Sequence, residues 1–150
     1  MPNYTRRLHR AVLRHNTDRL RRLLESGVKN VNGRDGSLDF TPLMLAVMKN
    51  KQEMAEMLLR HRADVSLQDR EANTAVMLAV WTDNHDLLKV LLDHGGPVDL
   101  ADRQGVTPLE FALEKDSGTC VRLLLAAGAS LTSWSLMLLR KVRRNRGEIL

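Results

Sequence analysis

The side chains best suited to chemistry in this chain are five histidines, His9, His15, His61, His85 and His94, and a single cysteine, Cys120. Imidazole and thiolate serve as bases, nucleophiles and metal ligands, but each of those roles needs partners at a set spacing. No histidine here stands at a metal-site spacing from the cysteine or from a carboxylate. Gly-rich phosphate loops, an HExxH helix, paired-cysteine motifs and a nucleophile elbow are all missing from the sequence. The histidines read as surface or loop residues. Cys120 occupies an apolar position of a helical segment and reads as a small core residue. The expectation is a protein that is not an enzyme, with no catalytic residues, no cofactor and no metal site.

The elements that would have to position any site are repeated ones. TPLMLAV at 41–47 returns as TAVMLAV at 74–80 and TPLEFAL at 107–113, an interval of 33 residues each time. A fixed period of that size marks stacked structural units. Thr41, Thr74 and Thr107 suit helix N-caps, whose hydroxyl accepts from an orphan amide, and Pro42 and Pro108 suit the first helical position. Asn50, Asp83 and Asp116 recur nine residues after each Thr, where a left-handed residue ends a short helix. A second helix follows, with Leu58 and Leu59, Leu91 and Leu92, or Leu124 and Leu125, closing near Arg62, Gly95 and Gly128. Arg62 and Ala72 stand where glycine would serve better, each at an expected cost of about 1 kcal/mol or less.

This pattern resembles the ankyrin repeat family. The resemblance rests on Thr-Pro-Leu at 41 and 107, Ala46, Ala79 and Ala112, the paired leucines and Gly-Ala at 128, all in one register covering residues 6 to about 132. It implies an all-α, ankyrin-repeat solenoid of about four helix-turn-helix units with short hairpin-like loops and a C-terminal capping helix. Residues 1–134 form the repeat domain, with an N-terminal cap at 6–35 and repeats at 36–68, 69–101 and 102–134. In the first unit Arg6 and Arg7 replace Thr and Pro, and two extra residues fall between Gly27 and Thr41. The register is lost after Ser133, since a fifth Thr is due at Arg140, and residues 135–150 are expected to form a capping helix with a basic tail, started by Ser133 or Ser135.

Partners of such scaffolds are held, the resemblance implies, by loop tips and by the inner face of the first helices. Transferred by position, the inner face carries Leu13, Met48, Trp81 and Glu114, flanked by Lys49 and Lys115. The tips carry Leu38 and Phe40 in the first loop, Arg70, Glu71 and Asn73 in the second, and Arg103 and Gln104 in the third. An oily stripe beside a basic one suits an acidic, amphipathic segment of a protein partner. Against this stands the reading of Trp81 and Met48 as packing between neighbouring helices, and of Phe40 as folded onto Pro42.

Composition sets the remaining limits. An apolar share of 43% against 27% charged is that of a chain that folds, and 150 residues suit one domain. The longest apolar run, Ala75 to Trp81, is far below the roughly 18 residues of a membrane span. MPNYTRRLHR lacks the apolar stretch of a secretory signal, and one cysteine fits a reducing compartment, so an intracellular protein, cytoplasmic or nuclear, is expected. It is expected to be monomeric alone. Residues 1–30 hold eight basic and two acidic residues and residues 136–150 five against one, while the middle holds ten basic and fifteen acidic. Arg140, Lys141, Arg143, Arg144 and Arg146 could therefore contact phosphates or act as a nuclear-import signal, the alternative being a nucleic-acid-associated regulator. Solubility of the two ends is the preferred account, because no aromatic is interleaved to stack on bases. SLMLLRKV at 135–142 is also similar to the Ser-Leu-x-x-x-Cys box by which some ankyrin-containing adaptors recruit a ubiquitin ligase, with Arg140 in place of the cysteine.

Overall fold

The computed structural model of the protein describes residues 4–145 and Gly147. Among these residues there are nine helices: α1 (Tyr4–Leu13), α2 (Thr17–Glu25), α3 (Pro42–Met48), α4 (Gln52–Arg60), α5 (Ala75–Trp81), α6 (His85–Asp93), α7 (Pro108–Glu114), α8 (Gly118–Ala126) and α9 (Ser133–Asn145). The odd-numbered helices pack in one inner row, α1 against α3, α5, α7 and finally α9, and α2, α4, α6 and α8 form a parallel outer row. The four pairs α1–α2 to α7–α8 are the four units.

Local chemistry explains the repeat. Thr41, Thr74 and Thr107 each accept a hydrogen bond at Oγ1 from the amide three residues on, at 3.2, 3.4 and 3.3 Å, so the expected caps start α3, α5 and α7. Each inner helix is stopped by a left-handed residue: Asn50, Asp83 and Asp116 at φ 55°, 52° and 56°, and His15 at 52° in the first unit. Arg62 and Ala72 also adopt φ 62°, the conformation that glycine would take without strain. Ala46, Ala79 and Ala112 are fully buried, which lets successive inner helices approach closely, while Leu58, Leu91 and Leu124 fill the space between the two rows.

Three rows of hydrogen bonds staple one unit to the next. At the hairpin tips, Arg70 N donates to Leu38 O and Arg103 N to Glu71 O, both at 3.0 Å. On the outer loops, Asp64 N donates to Asn32 Oδ1 and Ser130 N to Asp99 Oδ1, both at 2.8 Å. At the turns between inner and outer helices, Asn84 Nδ2 donates to Asn50 Oδ1 and Ser117 Oγ donates to Asp83 Oδ1 at 2.6 Å. No unit stands alone, so stability is shared along the stack.

The C-terminal helix differs from the sequence-based expectation. Its cap is Thr132, not Ser133 or Ser135: Thr132 Oγ1 accepts from Ser135 N at 3.0 Å, and Ser135 Oγ accepts from Thr132 N at 2.7 Å. That reciprocal pair is a capping box. α9 thus begins before the expected boundary at 134/135 and packs on α7 as the inner helix of a fifth unit. The fifth Thr comes 25 residues after Thr107 instead of 33, because the hairpin loop that precedes α3, α5 and α7 is cut short after Gly128.

Candidate functional site

The last turns of the inner helices and the hairpin tips line one face of the stack, the one that the resemblance marks as the binding face. In α5 the six residues from Ala75 to Val80 are buried, and Trp81 is 57% exposed at the helix end. Its indole stacks on Phe111 of the next unit, with ring centroids 5.6 Å apart and planes 25° from parallel. Lys115 holds the pair from the far side: its Nζ donates to the Trp81 carbonyl and lies 5.6 Å from the Phe111 centroid. The indole is thus stacked on Phe111 while more than half of Trp81 stays open to solvent.

Two units away the face is hollowed. Leu13, which is 58% exposed, with Leu38, Phe40, Leu45 and His9, lines an apolar depression of about 210 Å³. Arg6 and Arg10 line a second depression of about 400 Å³ that shares Leu13, His9 and Asp35 with the first. His9 itself is buried and ties α1 to the next hairpin, its ring nitrogens 2.8 Å from Thr5 O and 2.7 Å from Phe40 O. One of the two residues inserted before Thr41 is in this tip, since Asp35 to Phe40 is one residue longer than Asp69 to Asn73. Leu38 is exposed at this tip, as Glu71 is at the next, while Phe40 packs half-buried against the core.

The other predicted residues fall into two groups. Lys49, Glu71, Arg103, Gln104 and Glu114 are exposed along the same face and its tips, and Met48 is half-buried between Leu13 and Trp81 in the row. Arg70 and Asn73 are partly occupied within the fold. The Arg70 guanidinium donates to Ser37 O at 3.1 Å, and Asn73 Nδ2 donates to the Asp69 carboxylate at 3.2 Å. Glu114 also edges a hollow of about 440 Å³ between α7 and α9, closed by Trp134, Met137 and Lys141. Arg140, Lys141, Arg143 and Arg144 are exposed on α9, and Arg146 lies outside the described residues. The N-terminal basic group is divided between α1, with Arg6, Arg7 and Arg10, and α2 of the outer row, with Arg19, Arg21 and Arg22, whereas the C-terminal group lies on α9, the last helix of the inner row.

Phe111 is the residue that sequence reasoning missed. It stands four residues after its Thr, one helical turn before the position of Trp81 and Glu114, so the two positions share a face. A search for apolar residues at both positions would have found it.

A second grouping of chemically capable side chains lies where the third unit meets the fourth. His85 Nε2 is 3.1 Å from Asp83 Oδ1, and the buried Cys120 thiol is 3.7 Å from the same oxygen. The Ser117 hydroxyl, donating to Asp83, holds that carboxyl below the usual carboxylate range, with His85 adding to the effect. Burial pushes the Cys120 thiol up. A protonated thiol is a poor nucleophile, so the arrangement is not an activated cysteine.

An all-helical stack of paired helices with an open concave face is an interaction scaffold. The family model for ankyrin repeats, in three copies, matches residues 3–69 and 61–133, and the chain belongs to that family. The family's fold is a non-enzymatic protein-interaction module. The chain is also similar to ankyrin repeat and SOCS box protein 6 of Mus musculus, 44% identical over 48 residues that make up 32% of this chain and 11% of that protein. The match thus spans about a tenth of that relative. No helix among the described residues is long and apolar enough to cross a membrane.

Proposed function

We propose that this protein is an intracellular adaptor or regulator that holds an acidic, amphipathic segment of a protein partner along its concave face. The observation that carries the reading is Trp81. A helix that buries its six other residues leaves its largest side chain open, and Phe111 and Lys115 fix it in place. Preorganised aromatics of this kind dominate the energetics of interfaces. The hollow between Leu13, Leu38, Phe40 and Leu45 supplies a second apolar anchor point, and Arg10 and Lys49 bring positive charge beside the stripe. A segment with apolar side chains at intervals and carboxylates between them meets both features.

The test is capture from cell lysate by the intact protein beside a Trp81→Ala, Met48→Ala double variant, at physiological and raised salt, once circular dichroism shows both to be folded. A specific protein held by the first and lost by the second is the expected result. In a purified pair, Trp81→Ala alone should weaken binding by about 2 kcal/mol, roughly thirtyfold. Retention by both variants of nothing but nucleic acid that salt removes would instead assign the function to the basic residues of α1 and α9.

A further inference from the structure

We propose that Asp83, His85 and Cys120 bind a zinc-like divalent cation at the seam between the third and fourth units. The donor set is one thiol, one imidazole and one carboxylate, and their ligand atoms all lie within 4.8 Å of one another. With bond lengths of about 2.3 Å to sulfur and about 2.0 Å to nitrogen and oxygen, a tetrahedral zinc ion sets its ligands about 3.6 Å apart for sulfur with oxygen and about 3.3 Å for nitrogen with oxygen. The observed separations are 3.7 Å from Cys120 Sγ to Asp83 Oδ1 and 3.1 Å from His85 Nε2 to Asp83 Oδ1. Two of the three edges already match such an ion within a few tenths of an ångström. Soft sulfur with imidazole selects zinc over calcium or magnesium, which take oxygen ligands. Three protein ligands leave a fourth position for water.

The fold accounts for Asp83 as a latch between units and for Cys120 as a buried core residue; what it does not require is that their neighbour be an imidazole and the core residue a thiol. The left-handed residue after an inner helix accepts from the next unit at the neighbouring seam too, where Asn84 donates to Asn50. There the residues matching His85 and Cys120 are Gln52 and Leu87, neither of which offers the donor zinc prefers. At the third seam the same positions carry three ligand types at once. Ser117, donating to Asp83 Oδ1 at 2.6 Å, then acts as the outer hydrogen bond that orients a ligating carboxylate. The left-handed turn at Asp83 and the first turn of α6 hold two ligands two residues apart, and α8 brings the third across the seam.

Tag-free protein, kept reduced, is titrated with Zn²⁺ by calorimetry and with Co²⁺ by absorption. The expected result is one ion per chain and a thiolate-to-cobalt charge-transfer band in the near ultraviolet that zinc abolishes. Cys120→Ala should lose the band. His85→Ala, at a half-exposed position and checked for folding by circular dichroism, should weaken zinc binding at least tenfold, as should Ser117→Ala by roughly tenfold or more. A folded intact chain with neither heat nor band overturns the proposal and leaves Asp83 and Ser117 as a latch between units. Zinc affinity unchanged in His85→Ala overturns it as well, even if Cys120→Ala fails to fold.

Discussion

Asp64 shows how a single exposed side chain serves two levels of the structure. Its amide donates to Asn32 of the preceding unit, while its carboxylate accepts from the Ser66 hydroxyl at 2.6 Å and the Ser66 amide at 2.9 Å. The hydroxyl bond, and then the amide bond, hold the carboxyl below its usual range. A group depressed on folding contributes stability that is present above its unfolded value, about 3.9, and is lost as pH falls through the lower folded value. Ser66→Ala should therefore lower the melting temperature at neutral pH, and the deficit should shrink in melts taken at progressively lower pH. A deficit that stays constant would mean that Ser66 acts by packing. Single residues of this kind were only partly legible in the sequence. The inner-face position of Trp81 was readable because it lies two residues after a repeated alanine. Phe111 was not, because its importance comes from stacking across a unit boundary on an indole 30 residues away. The meeting of His85 with Cys120 was not legible for the same reason, since 35 residues of chain separate groups that the stacking of units brings to one seam.

At the scale of elements, the caps and left-handed stops of α3, α5 and α7 could be read directly, because a Thr and an Asn or Asp recur at fixed distance and each has one local job. α9 defeated that reading. A period of 33 lands on Arg140 in the middle of the helix, whereas the chain has dropped eight residues of hairpin and started its fifth inner helix at Thr132. The junction is more than a cap, since the Thr132 hydroxyl also donates to the buried Glu110 carboxylate at 2.5 Å. Glu110 in turn accepts from Thr107 N at 3.0 Å, so one carboxylate ties the starts of α7 and α9 together. Replacing the threonine removes a cap, worth about 1 kcal/mol, and strips a buried acceptor of a partner, which adds about 1–2 kcal/mol. Urea denaturation should accordingly show Thr132→Ala destabilised by about 2–3 kcal/mol. Ser133→Ala, at the position the sequence pattern would choose, is exposed and should stay within about 0.5 kcal/mol of the parent. Equal losses in the two variants would return the cap to Ser133.

For the whole molecule, the charge and apolar surface exposed by the first unit and by α9 lead to a prediction about contacts between copies of this chain. The N-terminal unit exposes Arg6, Arg7, Arg10, Arg14, Arg19, Arg21 and Arg22, and α9 exposes Arg140, Lys141, Arg143 and Arg144. α9 also leaves Trp134, Leu136 and Met137 about half exposed on a helix whose buried residues, Ser135 and Leu138, face α7. A stack of this kind has one geometric route to open polymers, in which the last inner helix of one copy receives the first of the next. Here that contact sets like charges against each other, and so does a contact between two copies of α9. At physiological ionic strength charges are felt over about 8 Å, which spans a helix contact, whereas at 1 M salt the reach falls to about 3 Å. Apolar contact between Trp134, Leu136 and Met137 is not weakened by the same change. Sedimentation velocity should thus find a monomer near 0.15 M salt and a growing share of larger species as salt approaches 1 M, the reverse of what an assembly held by ion pairs would do. Leu136→Lys, which removes apolar surface and adds charge among the exposed apolar residues near the start of α9, should keep the protein monomeric at every salt concentration. Association that instead weakens with salt would show that the basic ends attract the acidic middle of another copy, and that repulsion between the ends does not control the assembly.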